Sequence, residues 1–313
     1  MRRLLACAGA TAGIALVSSA LLASAHPLPR APHCPVFPRS NPWNQRVDRL
    51  PVAHGSATYV RSIGVDAPAH PDFGSGLYGG GPIGIPYDVV SRHTHRSHVS
   101  FTYASESDRG PYPIPRGVHV EGRPHSGGDR HAILVDRDSC RLYELYSLYR
   151  AGHGWRAGSG AIWSLRSNHL RHRGWTSADA AGLPILPGLA RADELRRRGG
   201  IDHALRFTAP RTRTAFVYPA RHQAGDSNDP SLPPMGLRIR LKRSVSYRGF
   251  GSQARTVMRA LKRYGAILAD NGSPWYFSGA PDRRWNNDDL HALSRLTGHD
   301  FEVVDTRRLP HPH

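Results

Sequence analysis

The sequence predicts a mainly β fold, a β-sandwich or jelly-roll-like domain decorated with several short helices. Three observations carry that expectation. Apolar runs of strand length are bounded by turn residues, as at 131–135 and 141–146. Glycine (32) and proline (26) are plentiful, which suits short strands and structured loops. Long helical periodicity is rare, no internal repeat is visible, and strands do not alternate with helices as in a doubly wound sheet.

The N-terminus speaks to compartment. Arg2 and Arg3 precede an apolar run over 4–22, followed by Ala23-Ser24-Ala25, the pattern of a secretory signal peptide cleaved after Ala25. The small residues closing the run, and the proline-rich sequence after it, argue against a membrane anchor. Residues 26–50 read as an extended proline-rich tail pinned by Cys34 and Trp43, and 51–313 as a single β-rich domain. Cys34 and Cys140 remain after cleavage, and in an oxidising compartment they either pair or stay as two separate thiols.

Taken in order, residues 57–63 suggest a short strand, and 68–86 a Gly/Pro-rich loop without the Lys-Ser/Thr of a phosphate loop. Strands at 87–90 and 99–103 flank a basic loop, and 117–121 suggests an edge strand. The hairpin 131–146 follows. Its first strand is apolar on both faces, which places it in the middle of a sheet. A strand over 158–163 precedes a short helix starting at Thr176 or Ser177 and stopping by Gly182, then a second helix over 189–197. Strand character returns at 203–208, 215–218 and 237–241, the last alternating Leu or Ile with Arg, as a strand with one wet face does. Residues 252–264 form the best helix, with Ala254, Val257, Met258 and Leu261 on one face and Gly265 as terminator. A strand at 266–270, an Asn271-Gly272 turn, a helix at 288–296 and a strand at 301–304 complete the chain.

The formal charge is +18, nearly all of it arginine, since Lys242 and Lys262 are the only lysines. A G+C-rich coding bias and an arginine surface for anionic partners both account for this. Nucleic acid is not expected as a partner: the chain has no helix-turn-helix, zinc finger or RNP-type motif, and export argues against a genomic role.

Chemistry is hinted at by carboxylates and imidazoles in apolar company. Glu144 lies between Tyr143 and Leu145, where burial raises a carboxyl pKa as a general acid requires; a structural ion pair with one of the many arginines is the competing explanation. His131 follows Asp129, and on an extended backbone the two share a side, as a general base and its orienting acid do; a buried His making one structural hydrogen bond is the competing explanation. Asp179 and Asp270 are possible second carboxylates for cleaving a glycosidic bond, although a helix start and a turn explain them equally well. His93, His95 and His98 sit among arginines that repel a cation, so no metal is expected there, and no cofactor elsewhere. Trp163, Trp175 and Trp275 stand in polar settings suited to stacking on sugar rings, with Arg191 and Arg238 available for an acidic sugar.

The phrases at 128–136, 142–146, 157–163, 174–185, 233–238 and 269–276, among them G-W-T-S-A-D-A-A-G-L-P-I and A-D-N-G-S-P-W-Y, together resemble a group of secreted bacterial proteins of unknown function. The resemblance implies export and one continuous domain. The sequence thus leads to a secreted carbohydrate-active enzyme, a glycoside hydrolase or polysaccharide lyase, acting on an extracellular polysaccharide; an anionic polymer would suit the arginine surplus. A non-catalytic exported polysaccharide- or cell-wall-binding protein is the alternative.

Overall fold

A computed structural model describes residues 27–122 and 127–312; the expected signal peptide, 1–25, lies outside them. In chain order the first strands are β1 (His70–Asp72), β2 (Leu77–Tyr78), β3 (Gly81–Pro82), β4 (Tyr87–Val90) and β5 (Val99–Phe101). Next come β6 (Ala132–Asp136), β7 (Arg141–Tyr146), β8 (Tyr149–Ala151), β9 (Gly154–Ala157) and β10 (Ser159–Ser164). The C-terminal part supplies β11 (Leu205–Ala209), β12 (Arg238–Leu241), β13 (Ala266–Asn271), β14 (Tyr276–Ser278) and β15 (Phe301–Val303). Helices are short: α1 (Ser56–Gly64), α2 (Ser252–Arg263) and α3 (Asn287–His291), with 3-10 turns between. The mainly β expectation holds.

The hairpin β6–β7 occupies the middle of a four-stranded sheet ordered β10-β7-β6-β4. Its two-sided apolar pattern is matched by burial on both faces. Ile133, Val135 and Leu142 join a core with the N-terminal tail, while Ala132, Leu134, Tyr143 and Leu145 join a second core with Tyr112 and Leu148. A six-stranded sheet, ordered β1-β14-β11-β13-β12-β15, forms the other large layer. The segment 176–192 joins the two halves: Ala181, Leu183, Ala190 and Ala192 belong to the core of the six-stranded sheet, and Ala178, Ile185, Leu186 and Leu189 to that of the four-stranded sheet.

The proline-rich tail is fastened rather than loose. Cys34 and Cys140 form a disulfide, Trp43 is buried, and its carbonyl accepts a hydrogen bond from Ala204 N–H at 2.7 Å. Arg238 and Arg240 complete the attachment. Arg238 donates to the carbonyls of Pro42 (2.9 Å), Gln45 (3.0 Å) and Tyr264 (2.9 Å), and Arg240 to those of Val47 and Leu50 (both 2.7 Å). The expected wet face of this strand is therefore a buried one, with tail carbonyls standing where water was expected.

Local expectations fail at identifiable places. Residues 56–64 form helix α1, not a strand: Val60 and Ile63, three apart, face the core, a helical spacing hidden by β-branched residues. Residues 117–121 and 215–218 form no named strand, and 176–182 forms no helix but a run of turns. The helix expected over 189–197 shrinks to a 3-10 turn, Ala192–Arg196. Helix α2 matches closely, and Gly265 ends it at φ 68°, with a side chain excluded by the Ile239 carbonyl 1.9 Å from where a Cβ would stand.

Candidate functional site

The segment 176–180 and the ends of β7, β10 and β13 surround a cavity of about 360 Å³. Its walls carry Asp129, Asp179, Asp270 and Glu106, with Tyr103, Tyr146 and His222. Four carboxylates around one small space is an unusual concentration of like charge, and the surrounding contacts decide how each behaves.

Arg206 is the hub. It stands in β11 with its side chain buried, and its guanidinium makes paired bonds to Asp179: Nε to Oδ2 at 2.7 Å and Nη2 to Oδ1 at 2.8 Å. Nη2 also reaches Asp270 Oδ2 at 3.0 Å, and Nη1 donates to Ser278 Oγ at 2.8 Å. Such a planar fork holds two carboxylates in fixed orientation. Asp179 is fully buried, both its oxygens on this fork. Asp270 keeps its side chain 22% exposed and borders the cavity. Burial first, then the charge of Asp179, push its carboxyl up to about 7 against the opposing pull of Arg206.

His131 takes a different partner from the one expected. Arg130 has φ 51°, so the backbone between Asp129 and His131 is not extended and the alternation argument fails. Nδ1 of His131 lies 2.5 Å from Glu121 Oε2, and Nε2 lies 3.0 Å from the Ala178 carbonyl. A carbonyl and a carboxylate are both acceptors, so each ring nitrogen donates and the ring is an imidazolium. Burial works to lower its pKa, but the charge and hydrogen bond of Glu121 outweigh this and raise it to about 9. An imidazolium with both protons engaged is poorly placed to act as a general base.

Glu144 is fully buried and does not border the cavity. Its carboxyl accepts from Ile185 N–H (2.9 Å) and Leu186 N–H (2.9 Å), tying the four-stranded sheet to the segment 176–192. Burial raises its pKa to about 8, and the two amide donors limit that rise. Proton exchange with a ligand is closed to it by position; anchoring the segment is what its contacts do.

Of the residues expected to bind substrate, two share a place. Trp163 and Trp175 flank the Arg171 guanidinium at 5.7 and 5.4 Å, and line a neighbouring cavity of about 220 Å³. Arg171 in turn bonds Asp108 Oδ2 (2.7 Å) and the Glu106 carbonyl (2.6 Å), so this pair stands next to the acidic cavity. The other three are structural. Trp275 is fully buried, stacked between Phe207 and Phe301, with Nε1 donating to the Gly64 carbonyl. Arg191 is buried and paired with Glu194. Arg238, with no carboxylate partner among the described residues, has its pKa lowered by desolvation to about 9 and serves the tail carbonyls.

Arg206, Glu121, Glu106 and His222 were not singled out from sequence. Arg206 carried the same signal as Glu144, a charge inside an apolar strand. Among the described residues, Glu121, Asp129 and His131 bring ligand-type atoms within 4.8 Å of one another, but the Glu121–His131 bond occupies the atoms that a cation would need. No protein-family model, curated protein or solved structure matches this chain.

Proposed function

We propose that the protein is an exported glycoside hydrolase acting on a neutral or amino-sugar polysaccharide, with the reaction in the cavity bordered by Asp270 and Asp129. The observation that carries this reading is Asp270: partly exposed, poised near pH 7, and set in a wall of further carboxylates. In this reading Asp270 in its protonated form donates to the leaving glycosidic oxygen, and exposed Asp129 activates the water or attacks the sugar. Arg206 and Asp179 hold Asp270 in place, and Trp163 and Trp175 offer ring faces beside the cavity. The two large sheets serve as the layers of a sandwich-like frame, with 176–192 between them, and kinship with secreted bacterial proteins of unknown function belongs to the same reading.

Charge in the cavity argues against the uronate polymers that the overall +18 suggests. A uronate carboxylate would enter a space walled by Asp129, Asp179, Asp270 and Glu106. The arginine of this cluster is committed to two aspartates, and Arg191 and Arg238 are buried elsewhere. A lyase needs a free cation to neutralise the uronate, so hydrolysis of an uncharged or cationic sugar is favoured over elimination.

The test is a reducing-end assay on xylan, β-glucan, chitin, pectate and alginate, with Asp270→Asn beside the wild type. Release from a neutral or amino-sugar polymer, lost in the variant by at least about 100-fold, is the expected result. Unsaturated product from pectate or alginate alone would replace hydrolysis with elimination. Retention on a polymer without product would leave the binding-protein alternative.

A further inference from the structure

The two most exposed large apolar side chains among the described residues sit side by side: Leu77 at 71% and Tyr78 at 84%. They occupy one arm of the hairpin β2–β3, whose turn residues Gly79 and Gly80 have φ 57° and 87°. Two consecutive positive φ angles are what a tight two-residue hairpin needs, and glycine adopts them without strain. The base of the hairpin is clamped. Asn287 accepts from Ser75 N–H (2.8 Å) and donates to the Ser75 carbonyl (2.9 Å), while Gly74 N–H bonds the Ile83 carbonyl at 3.1 Å. A rigid hairpin thus holds an aromatic ring in water. Single exposed apolar residues are ordinary on protein surfaces; here successive strand residues face opposite ways, and Tyr78 is the one of the two that borders a neighbouring cavity.

That cavity measures about 530 Å³, and Tyr78 stands in its wall. Opposite elements supply His70 and Tyr276, stacked with ring centroids 4.1 Å apart, and a polar rim that includes Asp72, Asp288 and His291. Flat aromatic faces with hydrogen-bonding groups at their edges suit a pyranose ring, which has an apolar face and an equatorial rim of hydroxyls. The rim carboxylates disfavour an acidic sugar here, as those of the reacting cavity do.

The cavity is also aligned with the Arg206 cluster. In the parallel pair β1–β14, His70 lies beside Tyr276 and Asp72 beside Ser278. Residues two apart on a strand share a face, so Tyr276 and Ser278 point the same way, about 7 Å apart along β14. Ser278 Oγ is the acceptor of Arg206 Nη1, whose guanidinium holds Asp179 and Asp270. One sheet face therefore runs from the stacked rings to the cluster beside the proposed reacting cavity.

We infer that the cavity between the Tyr78 hairpin and the His70–Tyr276 stack is a second saccharide-binding site, which holds a neutral or amino-sugar polymer away from the bond being cleaved. This rests on the carbohydrate reading above and extends it from one sugar unit to a chain. Tyr78 contributes a stacking face, and its hydroxyl is dispensable. The site adds affinity for the polymer and nothing to the chemical step.

Binding isotherms on insoluble cellulose, chitin, xylan and β-1,3-glucan, beside kinetics on the soluble trisaccharide of whichever polymer is cleaved, test this with Tyr78→Ala and Tyr78→Phe. The exposure of Tyr78 makes loss of fold in either variant no concern. Expected is a loss of about tenfold in polymer affinity for Tyr78→Ala, about 1.4 kcal/mol, with Tyr78→Phe like the wild type and trisaccharide turnover unchanged in both. Wild-type polymer affinity in Tyr78→Ala, or a wild type that cleaves but is not retained on any polymer, overturns the second site and leaves the hydrolase reading intact. A wild type that neither binds nor cleaves any of these saccharides overturns both.

Discussion

At the scale of single residues, the same signal, a charged side chain in an apolar strand, has two outcomes. Glu144 and Arg206 are equally legible in the sequence, yet Glu144 is sealed under two amide donors while Arg206 orients an acid at a cavity wall. Glu144→Gln replaces one accepting oxygen by an NH₂ group facing backbone donors. The expected result is a loss of about 1–3 kcal/mol in urea unfolding, because buried donors lose their acceptor; an unchanged midpoint with abolished turnover would instead restore Glu144 as the acid. Asp270 carries the opposite expectation. Its acid role requires the proton, so the pH–rate profile should fall as pH rises through about 7. A profile flat from pH 5 to 9 would remove Asp270 as the acid. The Glu121–His131 pair makes a stability prediction. The His131 pKa is raised to about 9 from 6.5, so the pair's contribution is fully present below about pH 6.5 and is lost as pH rises through about 9. Thermal melts of wild type against Glu121→Gln over that window should converge at the alkaline end, and parallel curves would show the pair unlinked to folding.

At the scale of elements, capping and fastening come from distant parts of the chain. Helix α2 has no side-chain cap of its own, and its first-turn N–H groups of Gln253 and Ala254 bond Asp289 from α3, at 2.8 and 3.3 Å. A carboxylate there also meets the positive end of the helix. Local periodicity marks both helices but not this contact, which joins residues more than thirty positions apart. The tail shows the same dependence. Its apolar residues Leu28, Val36 and Phe37 complete the core under β6 and β7, and the Cys34–Cys140 bond closes a separation of 106 residues. Replacing both cysteines by serine should lower stability by about 2–4 kcal/mol in denaturant unfolding and expose the tail to proteases. Equal stability of the double variant would mean that Trp43 and the Arg238 and Arg240 bonds hold the tail unaided.

At the scale of the whole molecule, surface charge and cavity charge have opposite signs. The chain carries +18, yet the cavity bordered by Asp270 is walled by four carboxylates. Long-range attraction of polyanions and recognition in the cavity are therefore separate properties. Retention on heparin should disappear at a few tenths molar salt, where the screening length falls to a few ångströms, and should be the same in Asp270→Asn. Turnover of a neutral oligosaccharide should hardly change over that range; a parallel loss of both would tie the surface arginines to catalysis.

The sequence by itself determined what depends on local pattern: the mainly β class, the central hairpin with both faces covered, helix α2 and its glycine stop, and two of the acids, Asp179 and Asp270, that the cavity brings together. It also named Cys34 and Cys140 as possible partners. What tertiary structure alone decided was which buried charges meet. Arg206 joins Asp179 to Asp270 across 27 and 64 residues, and Glu121 displaces Asp129 as the partner of His131 because Arg130 turns the backbone. Trp275 and Arg238 stand in settings that look polar along the chain and are core in space. The reason is physical: strand alternation and helix periodicity fix which face a residue belongs to, but only the packing of one element on another fixes whether that face meets water, a carbonyl or a charge.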